Sequence, residues 1–464
     1  MIYSKFSLNN FRCFKARQFL VFAIPDGEKA GSGLTYIVGT NNSGKTSVLE
    51  AMQFKQNDLL NVADQPSTVQ ASKFEYYDEN GNMNRGLQNT PGHYLLKMLD
   101  GHDANQDTLP YFIPSRRYWQ SRMQNTGMSD YTWLVEQSHV SRLRITPEYN
   151  SDLDVAGLLK GIESNPEQYA KIVEIMRAII PDFGGYASAY NDYEYIECKS
   201  GNDKYKSSYS GEGISSLLRI VVTVITAQDR PIVIDEPELS LHPLAKRRLA
   251  EWLGELSRTR QIIIATHDPY FVSWDYICNG AKVNRLVKDC DNVTTIHYLS
   301  NIKKYETFVQ TGHNWQKPQM MDLLSKEIFF CDNILFLEGQ QDVGLLRSHS
   351  LIDERTINIF DYGIGGIPFA GASLALAKDL GLRRVAIILD NGEQETIIAN
   401  KLRSDYPEYK IIQWNKEDIR DKKDEAGEEL LKEGYFDEHG RLKPEEQLGD
   451  FREKLTQVKE YFDE

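Results

Sequence analysis

The sequence predicts an α/β protein built on mostly parallel sheets, in two successive parts. Three observations carry this. First, three short apolar, β-branched runs, Leu34–Val38, Pro231–Ile234 and Gln261–Ala265, each stop at a polar or glycine-rich stretch, GTNNSGKTS, DEPELS and THDP. Runs of that length read as buried strands of a parallel sheet. Second, two more such runs follow much later, Asn333–Leu337 before EGQQD and Arg384–Leu389 before DNGEQ. Third, the 464 residues, of which 41% are apolar, leave room for two or three domains with cores of their own. The segment Lys326–Cys331 lies between the two groups of runs, so we divide the chain into residues 1–325 and 326–464.

Residues from about 60 to 205 carry none of these strand signals. They hold aromatic and charged runs such as FEYYDEN, SRRYWQSR and YNDYEYIE, and a helical pattern over Pro166–Ile180. We read this stretch as a helical or mixed insertion, too poor in heptads for a long coiled coil.

Composition removes several classes. With 53 Lys+Arg against 67 Asp+Glu, the net charge is −14, unlike a protein that coats nucleic acid. Direct nucleic-acid binding stays open, because a local basic patch is compatible with that total. No run approaches the ~18 apolar residues of a membrane-spanning helix. The start, MIYSKFSLNNFRCF, lacks the basic-then-apolar order of a secretion signal. Five scattered cysteines without a CxxC pair fit a reducing cytoplasm. From Lys416 onward there are 10 basic and 17 acidic residues, about half of the net charge. That tail reads as a solvated face or as an acidic partner-binding surface.

The strongest motif is Gly39-Thr-Asn41-Asn42-Ser43-Gly44-Lys45-Thr46-Ser47, which matches the P-loop pattern G-x-x-x-x-G-K-[ST]. The glycines let the backbone curl so that successive N–H groups face phosphate oxygens. Lys45 would neutralise the outer phosphates, and the Thr46 hydroxyl would hold Mg2+. A chance Gly/Ser turn would not also have a strand before it and a helix after it. Further along, an apolar strand delivers two adjacent carboxylates. Asp235 is placed to hold the same Mg2+, and Glu236 to polarise an attacking water. A third run ends in Thr266-His267-Asp268, where His267 could sense the terminal phosphate. Between these lies Tyr209-Ser210-Gly211-Glu212-Gly213, a Ser/Gly loop before a helix; alone it would be a helix cap.

Taken together, FRCF, GTNNSGKTS, YSGEGISSLL, IVIDEPELSLHP and IIIATHDP resemble the ABC-type P-loop ATPase head of the RecF-like, SMC-like and OLD-like group. The resemblance implies that two heads sandwich ATP and Mg2+, with Ser210, Gly211 and Gly213 of one chain facing Lys45 of another. It places Arg12 close to the nucleotide and gives His242 a part in shaping the dimer contact. In the second part, NILFLEG and IILDNGE resemble a TOPRIM domain. That resemblance implies a TOPRIM-like α/β domain in which Glu338 and Asp390 hold metal, since oxygen ligands at strand ends suit Mg2+. The second Asp of the family's D-x-D is Gly392 here, and Glu393 stands one place later. Loss of a ligand weakens a two-metal clamp, so the expectation is a TOPRIM-like fold without nuclease chemistry of its own.

An ABC head, a compact insertion and a TOPRIM-like end are similar to two bacterial groups, the OLD-type nucleases and the ATPase subunit of PARIS anti-phage systems. Modest size and the altered metal triad favour the second. It implies a homo-oligomer of ATPase subunits that holds a separate TOPRIM nuclease subunit inactive and releases it when a phage-encoded trigger protein appears. Glu393 is a candidate contact with that partner. The alternatives are an ATP-gated nuclease cutting DNA with Glu338 and Asp390, and a DNA-repair clamp. Ser115-Arg116-Arg117-Tyr118-Trp119 mixes cations and aromatics that could stack on nucleic acid or pack in an interface.

Overall fold

The structure, a computed structural model, describes residues 2–56, 58–60, 62–67, 69–99, 109–115, 162, 165–191, 193–200, 203–206, 212–227, 230–299, 302, 324–361, 363–423 and 429–463. Tyr209, Ser210, Gly211 and Arg116–Trp119 lie outside the described residues.

The first part stacks two sheets. A six-stranded sheet runs in the order β14-β13-β3-β12-β11-β7. Its strands are β3 (Leu34–Val38), β7 (Tyr111–Ile113), β11 (Ile232–Asp235), β12 (Ile262–Ala265), β13 (Lys282–Lys288) and β14 (Thr294–Tyr298). All are parallel except the edge strand β14. The second sheet is antiparallel, in the order β2-β1-β4-β5-β6. It comprises β1 (Lys5–Asn9), β2 (Gln18–Val21), β4 (Lys73–Tyr77), β5 (Met83–Gln88) and β6 (Lys97–Met98).

The three runs expected as strands are β3, β11 and β12, each buried along its whole length. Burial on both faces explains why they read as unbroken apolar runs rather than alternations. One face (Ile37, Val233, Ile263, Ala265, Leu286) packs on the antiparallel sheet through Phe6, Leu8, Phe74 and Leu87. The other face (Tyr36, Ile234, Ile264, Val283) packs on three helices, α2 (Pro166–Ile179), α3 (Glu212–Thr226) and α4 (Pro243–Leu256). The short helix α1 (Lys45–Ala51) and α5 (Trp274–Cys278) complete this part. Strands β8 (Gly185–Asn191), β9 (Tyr193–Ser200) and β10 (Asp203–Lys206) form a separate antiparallel sheet.

The insertion expected over 60–205 needs correction. β4, β5 and β6 pair into the antiparallel sheet beside β1, and β7 pairs with β11. Of the later portion, α2 packs on the six-stranded sheet, and β8, β9 and β10 form a sheet of their own. The strand signal in Lys73–Tyr77 is an alternation diluted by aromatics and acids, with Phe74 and Tyr76 turned inward.

The second part is a three-stranded parallel sheet, β15 (Asn333–Leu337), β16 (Arg384–Leu389) and β17 (Lys410–Gln413), in that order. Helices α7 (Ala370–Asp379) and α8 (Glu393–Asp405) bury residues on one face. Helices α6 (Gln340–Ser348) and α9 (Gly449–Asp463) bury residues on the other, around Trp414 and Phe451. A small ribbon, β18 (Lys422–Lys423) and β19 (Leu430–Lys432), lies near the end of the chain.

The two parts share a core. The apolar cluster of the head continues through Ile328 and Phe329 into Phe336, Ile387 and Leu374. At the junction Arg285 of β13 is fully buried. Its guanidinium donates to the carbonyls of Phe329 (3.2 Å), Leu380 (2.8 Å) and Cys331, and pairs with Asp332 at 3.0 Å. Arg supplies five donors in a fixed planar fork, so one side chain can serve several carbonyls together. Among the described residues no helix is long and apolar enough to cross a membrane.

Candidate functional site

Parallel pairing brings the candidate residues together. β12 lies between β3 and β11, with Ile37 and Asp235 both opposite Ala265. The loop after β3, the Asp235–Glu236 pair and the Thr266–His267 pair therefore emerge side by side at the carboxyl ends of the strands. Open parallel sheets place their ligand sites there.

The Gly39–Ser47 loop curls through left-handed backbone at Asn42 (φ 64°) and Gly44 (φ 105°). At Gly44 a side chain is also excluded, since a Cβ would stand 2.8 Å from Cys13 Sγ. The loop is tied down from behind, where Thr294 Oγ1 donates to the Ser43 carbonyl at 2.9 Å. Lys45 begins α1 and is buried, with its ammonium donating to the carbonyls of Gly39 (2.9 Å) and Thr40 (3.0 Å). Burial lowers its pKa, and the carboxylates of Glu236, Asp235 and Glu238 work in the opposite direction. Ser43 Oγ is buried without a hydrogen-bond partner. A cation held only by loop carbonyls, beside an orphaned hydroxyl, is a donor set that suits a phosphate. Asn41, Asn42 and Thr46 are exposed at this mouth.

Asp235 ends β11 almost fully buried. Glu236 adopts φ 46°, and its N–H donates to Ala265 O at 2.8 Å. A non-glycine residue held there costs about 1–3 kcal/mol, a strain that recurs at functional sites. His267 Nδ1 lies 3.3 Å from Glu236 Oε1 and 3.3 Å from Glu238 Oε1. Sequence reasoning missed Glu238. Its buried Oε1 accepts from Thr266 Oγ1 at 2.7 Å and from the His267 N–H at 3.0 Å. Burial raises the Glu238 pKa, against the pull of those bonds. Glu238 thus orients the Thr266–His267 turn relative to Glu236. Its signal in the sequence was spacing alone: a second Glu two residues after the first in DEPELS. The Lys246–Asp268 ion pair at 2.6 Å anchors the turn to α4.

Arg12 sits beside the first turn of α1. It pairs with Asp64 (Nε to Oδ1, 2.8 Å) and with Glu50, and lies 3.4 Å from Ser47 Oγ. Gly213, near the start of α3, packs so closely on the Ser240 carbonyl that a Cβ would collide with it. The start of α3 is thereby fitted to the loop that carries Glu236. His242 caps α4, its Nδ1 accepting from the Leu244 N–H at 3.3 Å.

The acids of the second part form their own group. Glu338 follows β15 and Asp390 follows β16, and Glu338 Oε2 accepts the Asp390 N–H at 3.1 Å. Asp342 accepts the Gly339 N–H at 2.9 Å, closing the first turn of α6. Burial, then the charges of Asp342, Glu338 and Asp418, pushes Asp390 up to about 8. Burial, opposed by the Gly339 bond but reinforced by Asp418 and Glu338, brings Asp342 to about 7. Glu395 of α8 folds its carboxylate over Gly392, and Glu393 begins that helix. Among the described residues no group of three or more His, Cys, Asp or Glu side chains is placed to hold a metal ion.

Comparison with known proteins bears on the first part. Residues 1–89 match the family described as "AAA ATPase domain". Residues 111–273 match the family described as "AAA domain, putative AbiEii toxin, Type IV TA system". No curated protein matches the chain. Among solved structures it is similar to an Smc head bound to the C-winged helix domain of ScpA, with 15% identity, coverage of 66% of this chain and 100% of that one, and a TM-score of 0.42. It is also similar to the Smc head with an extended coiled coil bound to the C-terminal domain of ScpA from Pyrococcus furiosus, at 15% identity, 67% and 99% coverage, and a TM-score of 0.41. The SMC head from Thermotoga maritima gives 14% identity, 65% and 100% coverage, and a TM-score of 0.38. The family matches span the P-loop and the Asp235–His267 segment, so the chain carries P-loop ATPase-type domains.

Proposed function

We propose that this protein is the ATP-hydrolysing sensor and scaffold of a bacterial anti-phage defence system, acting in the cytoplasm. The single observation that carries the ATPase chemistry is the convergence of Lys45, Asp235, Glu236 and the Glu238-held His267 at one end of the parallel sheet. The match to a family named for an AbiEii-type toxin supports the defence context.

Lys45 binds the outer phosphates of ATP, with its two carbonyl bonds exchanged for phosphate oxygens. Thr46 and Asp235 hold the Mg2+ that accompanies the nucleotide and neutralises its charge. Glu236 takes the proton of the attacking water, and His267 reports the state of the terminal phosphate to Glu236 and Glu238. Ser210, Gly211 and Gly213 of a second chain close the site, so that ATP is the clamp of a homo-oligomer. Arg12 steadies the first turn of α1 at the nucleotide. Coupling to the partners follows from differential affinity: the trigger protein favours one nucleotide state, and the held TOPRIM nuclease subunit favours the other. Glu393 lies on the surface that contacts this partner.

A second reading, an OLD-type nuclease with its own Glu338 and Asp390, is favoured by one observation, the meeting of these two acids at the ends of β15 and β16, where Glu338 Oε2 accepts the Asp390 N–H at 3.1 Å. A nuclease assay on the purified chain separates the two, with ATP, Mg2+ or Mn2+, plasmid DNA and total RNA, beside Glu338→Ala. No cleavage despite ATP turnover is expected. Cleavage lost in Glu338→Ala overturns the scaffold reading in favour of the second.

A further inference from the structure

The second part presents an open sheet edge with an unusual lining. Among the described residues β17 pairs with β16 alone, and no strand lies on its other side. A cleft of about 590 Å³ runs along that side, floored by Lys410–Asn415 and walled by Asn391 and Arg403 of the α8 side and by Lys454 and Gln457 of α9. Trp414 donates its N–H to Leu389 O at 3.0 Å, toward β16. Backbone groups alternate sides along a strand, so those of Ile411 and Gln413 face the cleft. Arg403 Nε reaches the Ile411 carbonyl at 3.4 Å, and among the described residues no strand pairs with the outward groups of β17.

The charges lining the cleft are one-sided. Arg403, Lys410 and Lys454 contribute three cations, the lining includes no acid, and none of the three forms an ion pair among the described residues. This occurs in a chain of net charge −14. The two aromatic residues of the lining, Tyr409 and Trp414, are buried at 9% and 2% exposure, so they offer no platform for stacking bases. Carboxamides supply the rest. Asn391 and Gln413 are braced against the Asn415 and Asp390 carbonyls, which fixes the upper end of the groove.

We propose that this edge is a docking site for an extended acidic peptide segment of a partner protein, which adds to β17 as a further strand. Main-chain hydrogen bonds to Ile411 and Gln413 supply affinity, and pairing of acidic side chains with Lys410, Lys454 and Arg403 supplies selectivity. The same cations discourage edge-to-edge pairing of two copies, because like charges would oppose one another across the new ladder. The site is independent of the nucleotide chemistry.

The test uses the full chain and a fluorescein-labelled octapeptide of alternating Thr and Glu, followed by anisotropy. Its companions are the Thr–Lys counterpart, the Thr–Glu peptide N-methylated at every second residue, an oligo-dT strand and inorganic phosphate. Saturable binding of the Thr–Glu peptide alone is expected, weakened at least tenfold by N-methylation, which leaves charge intact and removes strand donors. Lys410→Glu combined with Lys454→Glu should weaken it at least tenfold and admit the Thr–Lys peptide, with ATP turnover unchanged. The milder Lys454→Ser should weaken it in the same direction should the double variant fold poorly. Absence of saturable binding, indifference to N-methylation, or binding of oligo-dT in place of the peptide overturns the proposal.

Discussion

The Glu238 carboxylate accepts the backbone N–H of His267 at 3.0 Å from a site almost closed to solvent. One buried acid thus fixes the turn that presents His267 to Glu236. Replacing it by Gln keeps the shape but puts an amide where a charge accepted two bonds. An unmet buried polar group costs about 1–3 kcal/mol. Glu238→Gln should therefore melt earlier, retain ATP binding and hydrolyse ATP at least tenfold more slowly. Calorimetry, nucleotide titration and phosphate release measure the three; an unchanged hydrolysis rate removes Glu238 from the site.

Lys45→Ala should cost at least ~10-fold in nucleotide affinity, about 1.4 kcal/mol, with little loss of stability. Its ammonium is hydrogen-bonded to two carbonyls of its own loop, Gly39 and Thr40, and, among the described residues, to no other element of the fold. Titration with a fluorescent ATP analogue checks this, and wild-type ATP turnover in the variant would sink the phosphate-site reading.

Arg285 is the pin between the two parts. Arg285→Met leaves the carbonyls of Phe329, Cys331 and Leu380 without their donor. A buried polar group left unmet in this way costs about 1–3 kcal/mol. The expected thermogram loses its single transition and shows the second part melting separately. A uniform shift of one transition would mean that the shared apolar core alone keeps the parts cooperative. Arg285→Lys should recover only part of the loss, since an ammonium cannot reproduce the planar fork.

Acids with raised pKa values give a signed pH dependence. Asp342 titrates at about 7 and Asp390 at about 8 in the folded chain, against about 3.9 unfolded. Below about pH 4 both states hold these protons, and the groups contribute nothing. Between about pH 4 and about pH 8 only the folded chain keeps them, so deprotonation of the unfolded chain draws the equilibrium away from the fold and stability falls as pH rises. Melting midpoints in chelator-containing buffer should decline across this window, and Asp390→Asn should flatten the decline. A wild-type profile that is flat there contradicts the burial of these carboxyls.

Much of the candidate site was legible as a set of residues that converge, because phosphate chemistry demands particular residues at particular spacings. β3, β11 and β12 are buried on both faces, so each reads as an apolar run, and each gives way at Gly39, Asp235 or Thr266 to the polar or glycine-rich loop that follows. β4 was not legible, because Phe74 and Tyr76 alternate with Glu75 in a segment crowded with aromatics and acids, which hides a period of two. Nothing in the local sequence marks Arg285 as a core residue. Its burial depends on carbonyls from Phe329, Cys331 and Leu380, positions no local pattern links to β13. Gly213 stands in a loop–helix pattern that only its contact with Ser240, reached through the tertiary fold, makes specific.

Hydrolysis by Glu236→Gln tests the central claim most directly. The variant keeps the size and the left-handed backbone of Glu236 but cannot take a proton from water. The account predicts that it binds ATP with Mg2+ as tightly as the wild type, that its single-turnover rate falls by about 10²–10⁴, and that it accumulates as an ATP-locked oligomer by mass photometry. Hydrolysis at the wild-type rate would contradict it, and would remove Glu236 as the base and ATP as the clamp.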